Sequence, residues 1–567
     1  MKERDSHQDT PAWVIEERGF ISGPLSWRGG SQPLSLGAWL LLFIQGAVLF
    51  CLAFLLYPKL ASQLVGRPLE PGELLELLVM RWGMAWFGLA LLGWSLHELL
   101  SRRPGPRVLF TMIAVFPVLI PFWMLGYGWD PNAWEGAFSG EWIHRTGQYW
   151  MSRPPGYPLF EGLAALVVPH GGWTALLAVN TLAGFLGCLV WCQLPEEISM
   201  DKQRLIAFCL LLQPLFLLAC GTGLEPVWQA TLVGASAVVL LKTLSDDVSS
   251  SAKGWMGSGA LLGFASGFAM TSLVVLPVWV ILILCYEPSL TKKAQGAFLL
   301  CLCAVGVFLL CELPVLLHHG ISVFRFAASQ PEGAVVLYRL LRFVLPPPAL
   351  VLTLISLALA WRRWESLERA ERMLVIMAVG VMVVQGLLLM AFPSAVNGLA
   401  VVLPFLAVLW ALLAPRGALA FLLPAVALWG LVSAPLVSTH PAQAFHFDFH
   451  PIPGPLVEEA GQRLEMMRRG QQLLMASPSK KTAIIVGRDW PMIATLRPDW
   501  VVEKGILRNP AAPVEFHAWI DHDTFGKMKT EGTKLFITGE SERTIWIEQG
   551  YDPVKEGAIP WKPNAVK

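Results

Sequence analysis

Charge is what this 567-residue chain has least of: only 15% of its residues are Asp, Glu, Lys or Arg, where soluble proteins carry about 25%. That shortage excludes an ordinary soluble domain over most of the length. The formal net charge is +1, with no basic stripe, which excludes a nucleic-acid partner. All nine cysteines lie between Cys51 and Cys311 in apolar segments, and none falls in the polar tail, so the tail holds no disulfide. CGTG and CLC are not metal-site spacings, and buried cysteine commonly serves as a small apolar side chain. No glycine-rich phosphate loop follows the tail's first strand-like run, where the sequence is GRDWP. The first apolar run starts near Leu36, after a mixed-charge segment without a cleavage site, so a removed signal peptide is not expected.

What the chain has is apolar length: 55% hydrophobic residues and a mean hydropathy of +0.55. Runs such as SLGAWLLLFIQGAVLFCLAFLL and RVLFTMIAVFPVLIPFWML approach the roughly 20 residues that cross a bilayer. The expectation is an α-helical polytopic membrane protein seated in a lipid bilayer. Basic short loops mark the cytoplasmic side, here at 101–107, 201–204, 291–293 and 361–372, with a weaker one at 414–417. The stretch 257–286 has Lys253 before it and Lys292 and Lys293 after it. It therefore reads as two half-length helices that dip in and return, broken near Thr271 and Ser272, which a protein-lined cavity tolerates. The tally is about 13 spans, with a cytoplasmic N-terminal segment (1–36), two extra N-terminal spans (37–104) and a core at 105–436. From 437 to 567 the composition is that of a soluble domain, and TAIIVG, WVVEKGI and KLFITGE alternate with helical stretches. A small C-terminal α/β domain on the outer side is expected. A bacterial inner membrane is the expected setting.

The largest polar interruption of the core, within 128–160, opens WDPNAWEGAFSGEWIHRTGQYWMSRPPGYPLFE. Asp130 stands just past a span, where a carboxylate in a confined, partly dry place can act as general base toward a hydroxyl. Glu135 and Glu141 are further acids, and His144, Arg145 and Arg153 can hold a phosphate, arginine in bidentate fashion. Asp-Pro is equally a turn opening in which the acid caps its own backbone, and His144 reads more readily as structural. Four tryptophans in the loop fix a depth at the interface rather than a ligand. Pro154-Pro155 predicts an extended rod, Gly156 a bend, and Pro158 the start of a short surface helix over PLFEGLAALVV. Glu225, at the outer end of a later span, is a candidate for binding the acceptor or a divalent cation; its structural alternative is an acid complementing a helix N-terminus. Glu312 raises the same question without a motif behind it.

An acid past an early span, a polar loop and then Pro-Pro-Gly-Tyr-Pro-Leu resembles the GT-C glycosyltransferases, and within them the protein O-mannosyltransferase and aminoarabinose (lipid A) transferase group. QPLFLLACGTGLEPVWQATLVGASAVVLL, GALLGFASGFAMTSLVVLPVWVILIL and NGLAVVLPFLAVLWALL resemble that group's later segments in the same order, over about 105–436. The resemblance implies a polyprenyl-phosphate sugar as donor, Asp130 as catalytic acid of the first outside loop, and Tyr157 within the binding region. Three features depart from the pattern. Asp130 lacks an adjacent second acid, Met270-Thr271-Ser272 stands where many relatives carry a lysine, and Asn397-Gly398 replaces an Arg-Tyr pair. His318, His319, Arg325 or Arg339 could take over the phosphate contacts. The expected reaction is inverting sugar transfer to a hydroxyl of a protein, glycan or lipid acceptor on the outer side. The rivals are a lipid-linked glycan transporter, for which no second copy of the broken segment is found, a non-catalytic subunit docked to an envelope-assembly partner, and a polysaccharide polymerase or ligase.

Overall fold

The computed structural model describes residues 36–55, 84, 88, 105–245, 252–321, 340–391, 395–433, 452–475, 481–503, 506–510, 512–538, 543, 546–547 and 552–561. Among the described residues, four helices are long and apolar enough to cross a membrane, and five if the pair Met200–Leu211 and Pro214–Cys220, bent by 73°, is one span. Shorter apolar helices, among them Pro347–Arg362, Leu403–Leu413 and Arg416–Trp429, fill out the bundle. Several expected spans are thus short or broken, at prolines and glycines that interrupt the backbone ladder. Of the two expected N-terminal spans (37–104), the second lies outside the described residues, apart from Met84 and Gly88.

Pro158–Val190 shows how such a break arises. It contains Pro169 and turns at Gly172, whose φ of 58° and ψ of −144° suit only glycine. Its first half lies along the loop helix Pro131–Thr146, and a Cβ on Gly140 would sit 2.6 Å from Ala164. Its second half enters the bundle beside Pro226–Ser245, with Gly187 against Thr231. The surface helix read from PLFEGLAALVV therefore occupies the first half of a kinked helix.

The segment 252–286 consists of Ala252–Phe268, a 3-10 turn at Met270–Val275 and Leu276–Tyr286. Its course follows from glycine contacts with Leu290–Cys311. Trp255 meets Gly296, Gly259 meets Leu300, Gly263 meets Ala304 and Gly267 meets Cys311, so these two helices run parallel. Leu276–Tyr286 must run back between them, and both ends of the segment lie on one face. Eleven residues span about 16 Å at 1.5 Å each, half the hydrocarbon thickness of about 30 Å.

Charge separates the two faces. Arg369 Nη2 donates to the Tyr286 carbonyl at 2.8 Å, and Lys202 pairs with Glu371, so the basic loops 201–204, 286–293 and 361–372 converge on one face. The loop 128–160 and Glu225 occupy the opposite face, which the tail also covers.

The tail begins with a two-stranded ribbon, β1 (Val432–Ser433) and β2 (Ile452–Pro453), followed by the tail helix Pro455–Leu474. A six-stranded sheet then forms from β3 (Thr482–Ile485), β4 (Val501–Glu503), β5 (Ile506–Arg508), β6 (Val514–His517), β7 (Lys534–Ile537) and β8 (Ile559–Pro560), in the order β4-β5-β6-β3-β7-β8. The pairs β3–β6, β3–β7 and β7–β8 are parallel, and β4–β5 and β5–β6 are antiparallel. All four residues of β3 are buried, as a central parallel strand requires. The tail does not keep its apolar face to itself: Trp490, Met492 and Ile484 share one core with Tyr127, Trp134 and Phe138 of the polar loop.

Candidate functional site

Asp130 opens the loop helix as its N-cap, accepting from the Asn132 N–H at 3.0 Å, with Pro131 as the first helical residue. Gly147, at φ 69°, closes the helix by donating to Ile143 O at 2.8 Å. One turn past the cap, Glu135 projects from the helix, and burial pushes its carboxyl up to about 7. The field of Arg153 opposes that rise, Asp130 adds to it and Arg488 opposes it. Two acids of one helix turn thus share the neighbourhood of one arginine.

That arginine is the centre of the site. Arg153 Nη2 donates to both carboxylate oxygens of Glu225 at 2.7 Å, Nη1 reaches Asn132 O at 3.4 Å, and Cζ stands 3.9 Å over the Tyr157 ring. Glu225 is only 4% exposed. Burying a carboxylate is costly unless it is paired, so the pair also holds 153–157 onto the first turn of Pro226–Ser245. The link between Arg153 and Tyr157 runs around a turn in which Gly156 N–H donates to Arg153 O at 2.7 Å. Pro154-Pro155, expected as an extended rod, is joined by a cis peptide inside this turn. Gly156 takes φ 105°, and a Cβ there would come within 2.7 Å of Val315.

Asp130, Glu135, Arg153, Tyr157 and Glu225 are therefore brought together. Other sequence candidates are not. His144 and Arg145 lie at the far end of the loop helix, about 15 Å along the axis from Glu135. His144 is exposed and faces His170, with ring centroids 5.9 Å apart. Arg145 donates to the Pro498 carbonyl of the tail; it serves as a tether, not as a neighbour of Asp130. Glu141 turns its charge toward buried Tyr127. His318 holds Nδ1 2.9 Å from Pro314 O and faces Tyr149, with His319 on the same ring. Arg325 and Arg339 lie outside the described residues.

Three groups escaped sequence reading. Glu161 is fully buried and accepts from Ser152 N at 2.8 Å, from Ser152 Oγ at 2.6 Å and from the Tyr149 hydroxyl. In sequence it is an acid in a helix's first turn, which the dipole alone would explain. Glu459 and Arg463 of the tail helix form a buried pair at 2.6 Å. Glu459 Oε1 accepts from the Trp129 N–H at 3.2 Å, and Arg463 Nη1 reaches Phe122 O and Gly126 O at 3.4 Å, its guanidinium 4.8 Å over the Phe122 ring. The tail helix thereby closes the carbonyl end of Gly105–Met124, where a cation is favourable, and pins the residue before Asp130. Among the described residues no group of three His, Cys, Asp or Glu converges as a metal site. The oxygens of Glu225, a candidate ligand for a divalent cation, are engaged by Arg153.

No family model matches the chain, and no curated protein matches it. Among solved structures it is similar to ArnT from Cupriavidus metallidurans in the apo state, at 14% identity and a TM-score of 0.39, over 53% of this chain and 58% of that one. The chain thus covers less than two thirds of that protein's length.

Proposed function

We propose that the protein is a membrane glycosyltransferase that moves a sugar from a polyprenyl phosphate to an acceptor hydroxyl on the extracytoplasmic side. The observation that carries this reading is the convergence of Asp130 and Glu135 from the loop helix with Arg153 and Glu225 at the mouth of the bundle. The basic loops gather on the opposite face, and the preference of such loops for the cytoplasm supports an outer location for the site and the tail.

In this reading Asp130 takes the proton of the acceptor hydroxyl, and the oxygen attacks the anomeric carbon from the side opposite the phosphate. The bond from that carbon to the phosphate oxygen breaks, and its electron pair leaves with the phosphate. The leaving group is already a stable anion, so cationic side chains matter more than a general acid. A second reading has one observation behind it: Asp130 is a helix cap and Arg153 is held by Glu225, as in a non-catalytic subunit that keeps only the scaffold.

The helix cap makes the test clean, because Asn caps about as well as Asp, so Asp130→Asn removes the charge and leaves the helix start. Purified protein would be given radiolabelled polyprenyl-phosphate sugars with a membrane extract as acceptor. Transfer by wild type and not by Asp130→Asn is the expected result. Equal transfer by both would make Asp130 a cap alone. Donor binding without transfer in either would favour the non-catalytic subunit.

A further inference from the structure

Arg153 is spent on Glu225, which leaves open what cation meets the anionic group of the substrate. The tail supplies one. After β3 the chain turns at Gly487, with φ 51°, into a short 3-10 turn ending at Asp489. This turn stands at the carboxyl end of the central strand, with β6 and β7 on either side of β3, the edge at which open α/β sheets place their ligand-binding loops. Both residues after Arg488 are anchored. Asp489 is buried and paired with Arg469 at 2.5 Å. Trp490 donates to Phe516 O at 3.3 Å and sets its ring edge-on to Phe138, with centroids 5.1 Å apart. Phe138 is three residues beyond Glu135 on the loop helix, hence on the same helix face. Arg488 is exposed and has neither hydrogen bond nor ion pair among the described residues, and its charge acts on Glu135. The turn is tied down beyond Arg488 by Asp489 and Trp490, and the guanidinium it presents is uncommitted among the described residues.

We propose that Arg488 binds the phosphate of the donor, so that the tail completes the site formed by the loop helix. This rests on the transferase reading above. A guanidinium suits the task because its planar fork takes two phosphate oxygens at once. The turn's anchors hold it beside the loop helix, on the face where Trp490 meets Phe138 and where its charge reaches Glu135.

The test is binding by the full chain in nanodiscs, with polyprenyl phosphate, the uncharged polyprenol and inorganic phosphate as probes, for wild type, Arg488→Ala and Arg488→Lys. Wild type should prefer the lipid phosphate over the polyprenol. Arg488→Ala should weaken lipid-phosphate binding by about tenfold or more, the scale of a lost charge-assisted hydrogen bond, and Arg488→Lys should recover part of it, with melting temperatures unchanged. Competition by inorganic phosphate at comparable concentration would also support Arg488 as the phosphate ligand while naming a free phosphate as the occupant. Undiminished phosphate preference in Arg488→Ala would overturn the assignment and leave the transferase reading intact, since Asp130→Asn tests that separately. A wild type with no preference for phosphate would overturn both.

Discussion

The backbone N–H of Trp129 donates to Glu459 Oε1 across 330 residues of sequence, and the same oxygen accepts from Arg463 Nε. One buried acid of the tail therefore holds the peptide next to Asp130, while its arginine partner satisfies the carbonyls that end the preceding helix. The tail is part of the loop's scaffold, not an appendage to it.

Breaking that pair should be costly. Glu459→Ala leaves a buried guanidinium uncompensated, an arrangement that costs about 3–5 kcal/mol, and it removes the acceptor of Trp129. Replacing both members by apolar residues, as in Glu459→Met with Arg463→Met, should recover much of the loss. Thermal unfolding in detergent distinguishes the variants. A double variant no more stable than Glu459→Ala would show that the pair is not what holds the tail helix in place.

Arg153 and Glu225 predict a different pattern. Arg153→Lys keeps the charge but loses the planar fork and the stacking on Tyr157, so it should unfold earlier than wild type. Glu225→Gln leaves Arg153 without its counter-charge and frees it toward the substrate phosphate. Donor affinity should then rise while stability falls. Parallel loss of both in Glu225→Gln would mean that the carboxylate itself contacts the substrate.

Sequence reading reached the features that local chemistry determines. Scarcity of charge announces the membrane, and the lysines that flank 257–286 announce its break near Thr271 and Ser272; the short surface helix expected from PLFEGLAALVV is instead the first half of the kinked helix Pro158–Val190. Asp130 could not be settled that way, because capping and catalysis ask for the same residue at the same place. The partners of Trp129 and Glu161 were out of reach for another reason. Glu459 is a solvent-like acid in a polar helix until the fold buries it, and Glu161 resembles any first-turn acid until Tyr149 and Ser152 fold over it. Arg145 misled because spacing within a loop says little about direction once the loop is a helix.

Packing of the loop helix gives a further prediction. Gly140 meets the Ala164 backbone so closely that a Cβ would lie 2.6 Å from it, and backbone cannot rotate aside as a side chain can. Gly140→Val should push the loop helix off the first half of Pro158–Val190 and destabilise by about 1–3 kcal/mol. Gly147→Ala, in open space but at φ 69°, should cost less and leave transfer intact. Equal effects on transfer would show that helix spacing does not govern the site.

Glu135 supplies a prediction in pH. Its carboxyl is pushed from an ordinary 4.5 to about 7, first by burial, with Asp130 adding to the rise and Arg153 and Arg488 opposing it. A folded-state pKa above the unfolded one means that folding favours the protonated form. That contribution is whole below the unfolded value, and it is lost as pH rises from there through about 7. Glutamine mimics the protonated acid at every pH, so Glu135→Gln should match wild type near pH 4 and be the more stable of the two by pH 8. The comparison is a set of melting curves for the two proteins in one detergent between these limits. A gap that is flat across the range, or that widens toward acid, would mean that Glu135 is ionised in the folded protein at neutral pH. It would then compete fully with Asp130 for the part of base rather than be held partly protonated beside it.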